Sequence, residues 1–113
     1  MIIAVDFDET LRINGEPNIA LFTRLINAQR GGAVLILWTC RAGDRLREAV
    51  QYCAEQGLRF NYINENTVET IRKFGCNPRK VFADVYIDDK ALRYKWRRGK
   101  NTDSQRRGIR RIR

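Results

Sequence analysis

The sequence predicts an α/β fold built on a small parallel sheet. Two continuous apolar runs, at 2–5 and 33–38, each end abruptly in polar residues, as the buried strands of parallel sheets do. Segments with apolar residues at helical spacing alternate with these runs. Because strands that alternate with helices indicate crossover connections, we expect the strands to run parallel. In open sheets of this kind, ligands bind at the carboxyl ends of the strands.

The predicted elements alternate along most of the chain. After the strand at 2–5, an Asn-Gly pair predicts a β-hairpin over 11–17, and helical spacing predicts a helix over 17–30. A segment at 92–97 alternates apolar and basic residues and is a candidate fifth edge strand. The other predicted elements are a strand at 33–38, a helix over 43–57, a strand at 58–63, a short helix within 64–77 and a strand at 81–87.

Length and composition favour one small globular domain. The chain has 113 residues, of which 43% are hydrophobic, and no apolar stretch reaches membrane-spanning length. Since the first strand begins at residue 2, we expect no signal peptide and a soluble, cytoplasmic protein without membrane contact. Cys40, Cys53 and Cys76 are odd in number, and the chain has no histidine. We interpret them as free thiols in the core, in preference to disulfides or zinc ligands.

The positive charge is concentrated in the C-terminal segment. The net charge is +9, and residues 90–113 carry 11 basic residues against one acid, Asp103. We therefore divide the chain into a single domain over 1–97 and a basic, flexible tail over 98–113. Basic residues interleaved with aromatic ones near this tail suit a nucleic acid, and a purely solubilising tail is an equal alternative.

Polar residues follow three of the predicted strands. Asp6 and Asp8 follow the first, Thr39 follows the second, and Asp88 with Asp89 follow the strand at 81–87. Hard oxygen ligands suit Mg²⁺, and a cation relieves the repulsion between neighbouring carboxylates. A carboxylate such as Asp6 could then attack phosphorus and form an aspartyl-phosphate, while Asp8 transfers protons.

These residues resemble the motifs of the haloacid dehalogenase-like (HAD) superfamily. Asp6-Phe7-Asp8-Glu9-Thr10 resembles its DxDxT motif, 35–39 resembles its second motif, and 85–89 resembles its acidic fourth motif. Three motifs in the family order are more specific than one. The resemblance implies a three-layer Rossmann-like fold and a magnesium-dependent phosphohydrolase.

The resemblance also implies a role for each matching residue. Asp6 would be the nucleophile and a metal ligand, Asp8 the acid/base and a ligand through its backbone carbonyl, Thr39 the phosphoryl contact, and Asp88 a further ligand supported by Asp89. Lys80 is our choice for the basic residue of the third motif, with Lys73 and Arg79 as alternatives. Thr10 and Arg41 are expected to contact the substrate, and a surface or helix-start role is the alternative for Arg41.

The sequence departs from the family pattern at Glu9 and in its short links. Glu9 stands where the family commonly has glycine, and its negative charge would narrow the choice of substrate. The links after the first two motifs leave no room for a cap domain. Capless members tend to act on large or exposed phosphates, which favours a mononucleotide or a phosphorylated nucleic-acid end as substrate.

Two other functions fit parts of the pattern. A non-catalytic module could hold a metal at the acidic edge and bind nucleic acid through the basic tail. A receiver-type phosphoacceptor also clusters acids on a parallel sheet, but the order of the motifs fits it less well. We interpret Trp38 and Trp96 as packing residues in preference to substrate platforms.

Overall fold

The computed structural model describes residues 1–76 and 81–88. Within them, short strands alternate with three helices. The elements are β1 (Ile2–Val5), β2 (Arg12–Ile13), β3 (Glu16–Pro17), α1 (Ile19–Arg30), β4 (Val34–Leu37), α2 (Gly43–Glu55), β5 (Tyr62–Ile63), α3 (Val68–Phe74) and β6 (Val85–Ile87).

The main sheet has four parallel strands in the order β5-β4-β1-β6. This arrangement confirms the predicted α/β class with a parallel sheet. The chain leaves β1 for β4 and β5 on one side, and later returns to the other side of β1 to form β6. Such a reversal of strand order is a topological switch point, where a crevice opens beyond the carboxyl ends of the strands. The carboxyl end of β1 is therefore the favoured place for a ligand.

Alternate strand residues enter two separate hydrophobic clusters, as the two-residue period of a strand requires. On one face, Ile3 and Val5 join buried residues of α1 and α2. On the other face, Ala4 and Ile36 join two residues that precede β6, Val81 and Ala83. Burial on both sides explains why β1 and β4 are continuous apolar runs.

Local signals account for the hairpin and the helix ends. Asn14 and Gly15 have φ values of 51° and 80° in the turn between β2 and β3, as a two-residue type I′ turn needs. The side chain of Asn18 caps α1 by accepting a hydrogen bond from the Leu21 N–H. Gly75 ends α3 with a φ of 76°. The predicted hairpin and the three predicted helices are confirmed.

The last two strands are shorter than predicted. Strand β5 contains only Tyr62–Ile63 of the predicted 58–63, although Leu58 is fully buried. Strand β6 begins at Val85, because the backbone before it bonds to a side chain: the Tyr86 hydroxyl donates to the Val81 carbonyl and accepts from the Ala83 N–H. Apolar residues in both segments enter the core from loops, which a sequence pattern cannot distinguish from strand residues.

Several predictions concern residues outside the described ranges. They are the edge strand at 92–97, the tail over 98–113, and the site residues Arg79, Lys80 and Asp89. None of the helices in 1–76 and 81–88 is long and apolar enough to span a bilayer.

The three cysteines are free thiols in different environments. Cys53 is buried, whereas Cys40 and Cys76 are exposed, so the prediction of core thiols is right for Cys53 and wrong for the other two. Burial raises the pKa of the Cys53 thiol to about 12, because an apolar environment disfavours the thiolate.

We expect a thiol reagent at pH 8 to modify Cys40 and Cys76 in the folded protein and to leave Cys53 intact. The thiolate is the reactive form, and burial of Cys53 both disfavours the thiolate and keeps the reagent away from it. Mass spectrometry of peptides after timed alkylation measures each site, and alkylation in denaturant provides the control in which all three react. Modification of Cys53 as fast as that of Cys40 would contradict the buried position.

Candidate active site

A row of three residues continues the sheet beyond its carboxyl edge. Asp6, Trp38 and Asp88 directly follow the last paired residues of β1, β4 and β6. Pairing extends into this row, because the Asp6 N–H donates to the Ile87 carbonyl at 3.0 Å and the Trp38 N–H donates to the Val5 carbonyl at 2.8 Å. Asp6 therefore lies between Trp38 and Asp88 at the switch point of the sheet.

The Asp6 carboxylate is anchored by the chain that follows it. Its Oδ1 accepts a hydrogen bond from the Phe7 N–H at 2.8 Å. Phe7 itself is fully buried in the larger hydrophobic cluster. The side chain of a strand-end aspartate is thus oriented by the turn after β1. The sheet brings Asp6 and Asp88 to one edge, as the sequence predicts, and places them on adjacent strands.

The Asp8 carboxylate forms a bidentate ion pair with Arg41. Arg41 Nε donates to Asp8 Oδ2 at 3.0 Å, and Nη2 donates to Oδ1 at 2.9 Å. The Asp8 side chain is 51% exposed, whereas that of Arg41 is only 5% exposed. The hydrogen bond from Arg41, partly opposed by burial, holds the pKa of the Asp8 carboxyl below its usual range. Asp8 is therefore a carboxylate at neutral pH.

Arg41 has further partners around its buried guanidinium. Nη1 donates to Glu48 Oε1 and to the Arg45 carbonyl, each at 3.0 Å, and the guanidinium lies 4.8 Å from the centre of the Phe7 ring. The hydrogen bonds to Asp8 and, to a lesser extent, to Glu48 raise the pKa of Arg41, and the hydrogen bond from Arg41 lowers the pKa of the Glu48 carboxyl. The surface alternative for Arg41 is wrong, and its contact with substrate stays a prediction.

Thr39 is positioned by an asparagine that the sequence analysis did not identify. The Thr39 N–H donates to Asn64 Oδ1 at 2.8 Å, and the Thr39 hydroxyl accepts from the Arg41 N–H at 3.2 Å. Asn64 follows β5 and has a φ of 53°, a backbone region that asparagine tolerates better than most residues. The sequence feature that could have identified Asn64 is its position directly after a predicted strand, at the same edge of the sheet as Thr39.

The Thr10 side chain is buried beneath the loop that follows β1 and carries Asp8, and does not lie on the protein surface. It is fully buried, and its hydroxyl donates to the Asp8 carbonyl at 3.4 Å. The Thr10 N–H donates to the Phe7 carbonyl at 3.2 Å. These bonds give Thr10 a part in shaping the loop that carries Asp8, and its contact with substrate stays a prediction.

Glu9 occupies a left-handed backbone conformation, with a φ of 57°. Glycine adopts this region freely, whereas a residue with a Cβ pays about 1–2 kcal/mol. A glycine at this position, as in the motif that this stretch resembles, would relieve the backbone strain, whereas the sequence alone indicates only the added charge of Glu9.

We expect Glu9→Gly to stabilise the fold by about 0.5–1 kcal/mol, after the greater chain entropy of glycine is subtracted. The control is Glu9→Gln, which removes the same charge but keeps the strained backbone. Urea denaturation should show a gain for glycine only, while phosphate release should rise in both variants if the charge acts as a brake. Equal stability of the two variants would contradict the role of the backbone.

Few oxygen atoms at this edge of the sheet are candidates for holding a magnesium ion. Within 1–76 and 81–88 no cluster of three or more histidine, cysteine, aspartate or glutamate side chains is present, and the Asp8 carboxylate is bound to Arg41. The remaining candidates are the carboxylates of Asp6 and Asp88, which follow adjacent strands, and the backbone carbonyl of Asp8, which the resemblance assigns to the metal. These are hard donors, and Mg²⁺ commonly takes one or two carboxylates and completes its shell with water and phosphate oxygens.

Lys73 lies at the other end of the sheet from Asp6. It lines a groove of about 180 Å³ together with Ile2 and Asp84, which lie where β1 and β6 begin. A basic residue at the amino end of the strands is poorly placed to neutralise a phosphate at their carboxyl end. Of the three candidates for this role, Lys73 is the one in the described residues, and its position argues against it.

The fold and the site can be compared with known proteins. No protein-family model and no curated protein matches the chain. A solved structure, that of a conserved protein from Bacteroides thetaiotaomicron, is similar with a TM-score of 0.68 and 32% sequence identity, over 92% of this chain and 94% of that chain. This chain belongs to the family of that protein. A shared family and fold assign no activity by themselves, so the function has to be argued from the geometry of the site.

Proposed function

We propose that the protein is a magnesium-dependent phosphohydrolase that works through an aspartyl-phosphate on Asp6. The observation that carries the proposal is the position of Asp6 beside Asp88 at the switch point of a parallel sheet. The same proposal includes membership of the HAD superfamily and a three-layer, Rossmann-like arrangement of the fold. It also includes a cytoplasmic location.

In this mechanism the chain supplies the nucleophile and the phosphoryl contacts. The Asp6 carboxylate forms a bond to phosphorus as the bond to the leaving oxygen breaks, and water then cleaves the acyl phosphate to regenerate Asp6 and release phosphate. When bound, Mg²⁺ would offset the negative charge that Asp6, Asp88 and the phosphoryl group bring together. Thr39, whose backbone N–H is held by Asn64, would donate a hydrogen bond from its hydroxyl to a phosphoryl oxygen.

Asp8 has two proposed proton transfers, one to the leaving group and one from the attacking water, and its ionised state suits only the second. As a carboxylate paired with Arg41, it can accept the proton of the attacking water. Protonating a leaving group first requires Asp8 to gain a proton at the expense of this pair. A leaving group that needs little protonation, such as a phenolate, should therefore react fastest.

The open edge favours a large or exposed phosphate. Strand β4 ends at Leu37 and α2 begins at Gly43, and a short hairpin, β2–β3, follows the first acidic motif. A mononucleotide or a phosphorylated nucleic-acid end fits this edge, and a nucleic acid could also contact the basic tail.

One observation favours a second candidate function, a non-catalytic metal-binding module that binds nucleic acid. The Arg41 pair occupies the carboxylate that catalysis would use for proton transfer. In such a module the acidic edge would hold a metal for structure, and the tail would bind nucleic acid.

A phosphatase panel tests both candidates. Aryl phosphate, sugar phosphates, mononucleotides, and 5′- and 3′-phosphorylated oligonucleotides are each assayed for phosphate release with Mg²⁺ and with EDTA, using the full chain and a chain lacking 98–113. We expect release that requires Mg²⁺. Background rates on every substrate, together with salt-sensitive oligonucleotide binding that requires the tail, would overturn the enzyme and support the module.

A further inference from the structure

Trp38 exposes a large aromatic surface beside the candidate nucleophile. It occupies the position next to Asp6 in the row that continues the sheet, and it is 42% exposed. The interpretation of Trp38 as a packing residue therefore accounts for only part of its side chain. The residues buried in the cluster on that face of the sheet are Ala4, Ile36, Val81 and Ala83, and Trp38 is not among them.

The indole ring is held in place by Tyr86. The two ring centres lie 5.6 Å apart, with an angle of 58° between the ring planes. Because β1 separates β4 from β6, this contact bridges the central strand. The Tyr86 hydroxyl makes two backbone hydrogen bonds, at 2.7 and 3.0 Å, so the support beneath Trp38 is itself fixed.

We propose that Trp38 is the platform on which the base of a nucleotide substrate stacks while its phosphate lies at Asp6. This inference rests on the proposed function and narrows its substrate class. A planar base can stack on the exposed part of the indole ring without a specific hydrogen bond, so this contact would accept any base and would be lost for a sugar phosphate that has no base. An aromatic ring that is already positioned loses little freedom on binding.

The kinetic test compares substrates that differ only in the base. For the wild type, kcat/KM is measured for adenosine 5′-monophosphate and for ribose 5-phosphate, and their ratio is the readout. We expect Trp38→Ala to lower this ratio about tenfold and Trp38→Phe, which keeps an aromatic face, to lower it by less than about threefold. A general loosening of the site would lower kcat/KM for both substrates equally and leave the ratio unchanged. An unchanged ratio in Trp38→Ala would therefore contradict stacking of the base on Trp38.

Phe74 provides a matched control for the loss of an exposed aromatic ring. It is 46% exposed and lines the groove that contains Ile2 and Asp84, at the amino end of the strands. Phe74→Ala should leave the substrate ratio at the wild-type value. A ratio lowered as much by Phe74→Ala as by Trp38→Ala would overturn the inference, because position in the sheet would then not matter.

Fluorescence separates this inference from the proposed function. The chain has two tryptophans, so Trp96→Phe leaves Trp38 as the sole reporter. We expect adenosine 5′-monophosphate to quench its emission in a saturable way, and ribose 5-phosphate not to. Quenching without phosphate release from any substrate would defeat the phosphohydrolase and keep the platform. Phosphate release with no quenching and no base preference would defeat the platform and keep the phosphohydrolase.

Discussion

Replacing Asp6 by asparagine is expected to lower magnesium-dependent phosphate release by at least about 10³-fold, as the loss of a covalent nucleophile does. Asparagine has nearly the same shape, and its side-chain oxygen can still accept the Phe7 N–H that Asp6 Oδ1 accepts at 2.8 Å. The fold should therefore persist while the amide fails to attack phosphorus. The assay follows phosphate release from an aryl phosphate with saturating Mg²⁺, with circular dichroism as the check on folding.

The matched control for this variant is Asp84→Asn at the opposite end of the same sheet. Asp84 Oδ2 accepts the Ile2 N–H at 2.7 Å, so Asp84 also bonds a backbone amide but lies away from the carboxyl edge. It should change phosphate release less than about twofold, because remote surface changes have small effects. An Asp6→Asn protein that retained wild-type rates would show that another group is the nucleophile.

The central part of the fold could be predicted from sequence because its strands are buried on both faces. Continuous apolar runs with polar ends identify β1 and β4, and parallel pairing then brings their ends to one edge. That geometry is why Asp6 and Asp88 could be placed together without coordinates. The short extent of β5 and the late start of β6 could not be predicted, because Leu58 and Val81 are buried by loop packing and not by strand pairing.

The environment of Arg41 could not be predicted because its partners are brought together by the fold. Asp8 is 33 residues away in the chain and Glu48 is 7 away, on the following helix. A lone arginine before a helix gives no sign of either contact. At Glu9 the sequence indicated a change of charge, whereas the left-handed backbone became evident only from the structure.

We expect that removing the charged partners of Arg41 will lower the free energy of unfolding more than removing Arg41 itself. The double variant Asp8→Asn/Glu48→Gln would leave a guanidinium that is 5% exposed without a counter-charge, which should cost about 3–5 kcal/mol. Arg41→Met would leave two carboxylates that are more than half exposed and can be hydrated by water, so its cost should be about 1–3 kcal/mol. Urea denaturation at pH 7 measures both free energies of unfolding.

Two further variants make this comparison decisive. Adding Arg41→Met to the double variant removes the unpaired cation and should recover part of the lost stability. Asp44→Asn breaks an exposed ion pair between Asp44 and Arg47 on α2 and should change stability by less than about 1 kcal/mol. A double variant that is as stable as Arg41→Met would show that the guanidinium is not effectively buried.

The pH dependence follows from the direction of the carboxyl pKa values. The hydrogen bonds from Arg41 lower the pKa of Asp8 and of Glu48 in the folded protein. Their stabilising contribution is therefore complete above the ordinary carboxyl pKa of about 4 and is lost as the pH falls through the lower folded values. The difference in unfolding free energy between the wild type and Arg41→Met should shrink over that acidic range, and a difference independent of pH would contradict the ionic origin. Since the same pair holds Asp8 as a carboxylate, any turnover that protonates Asp8 must temporarily give up part of the stability that Arg41 provides.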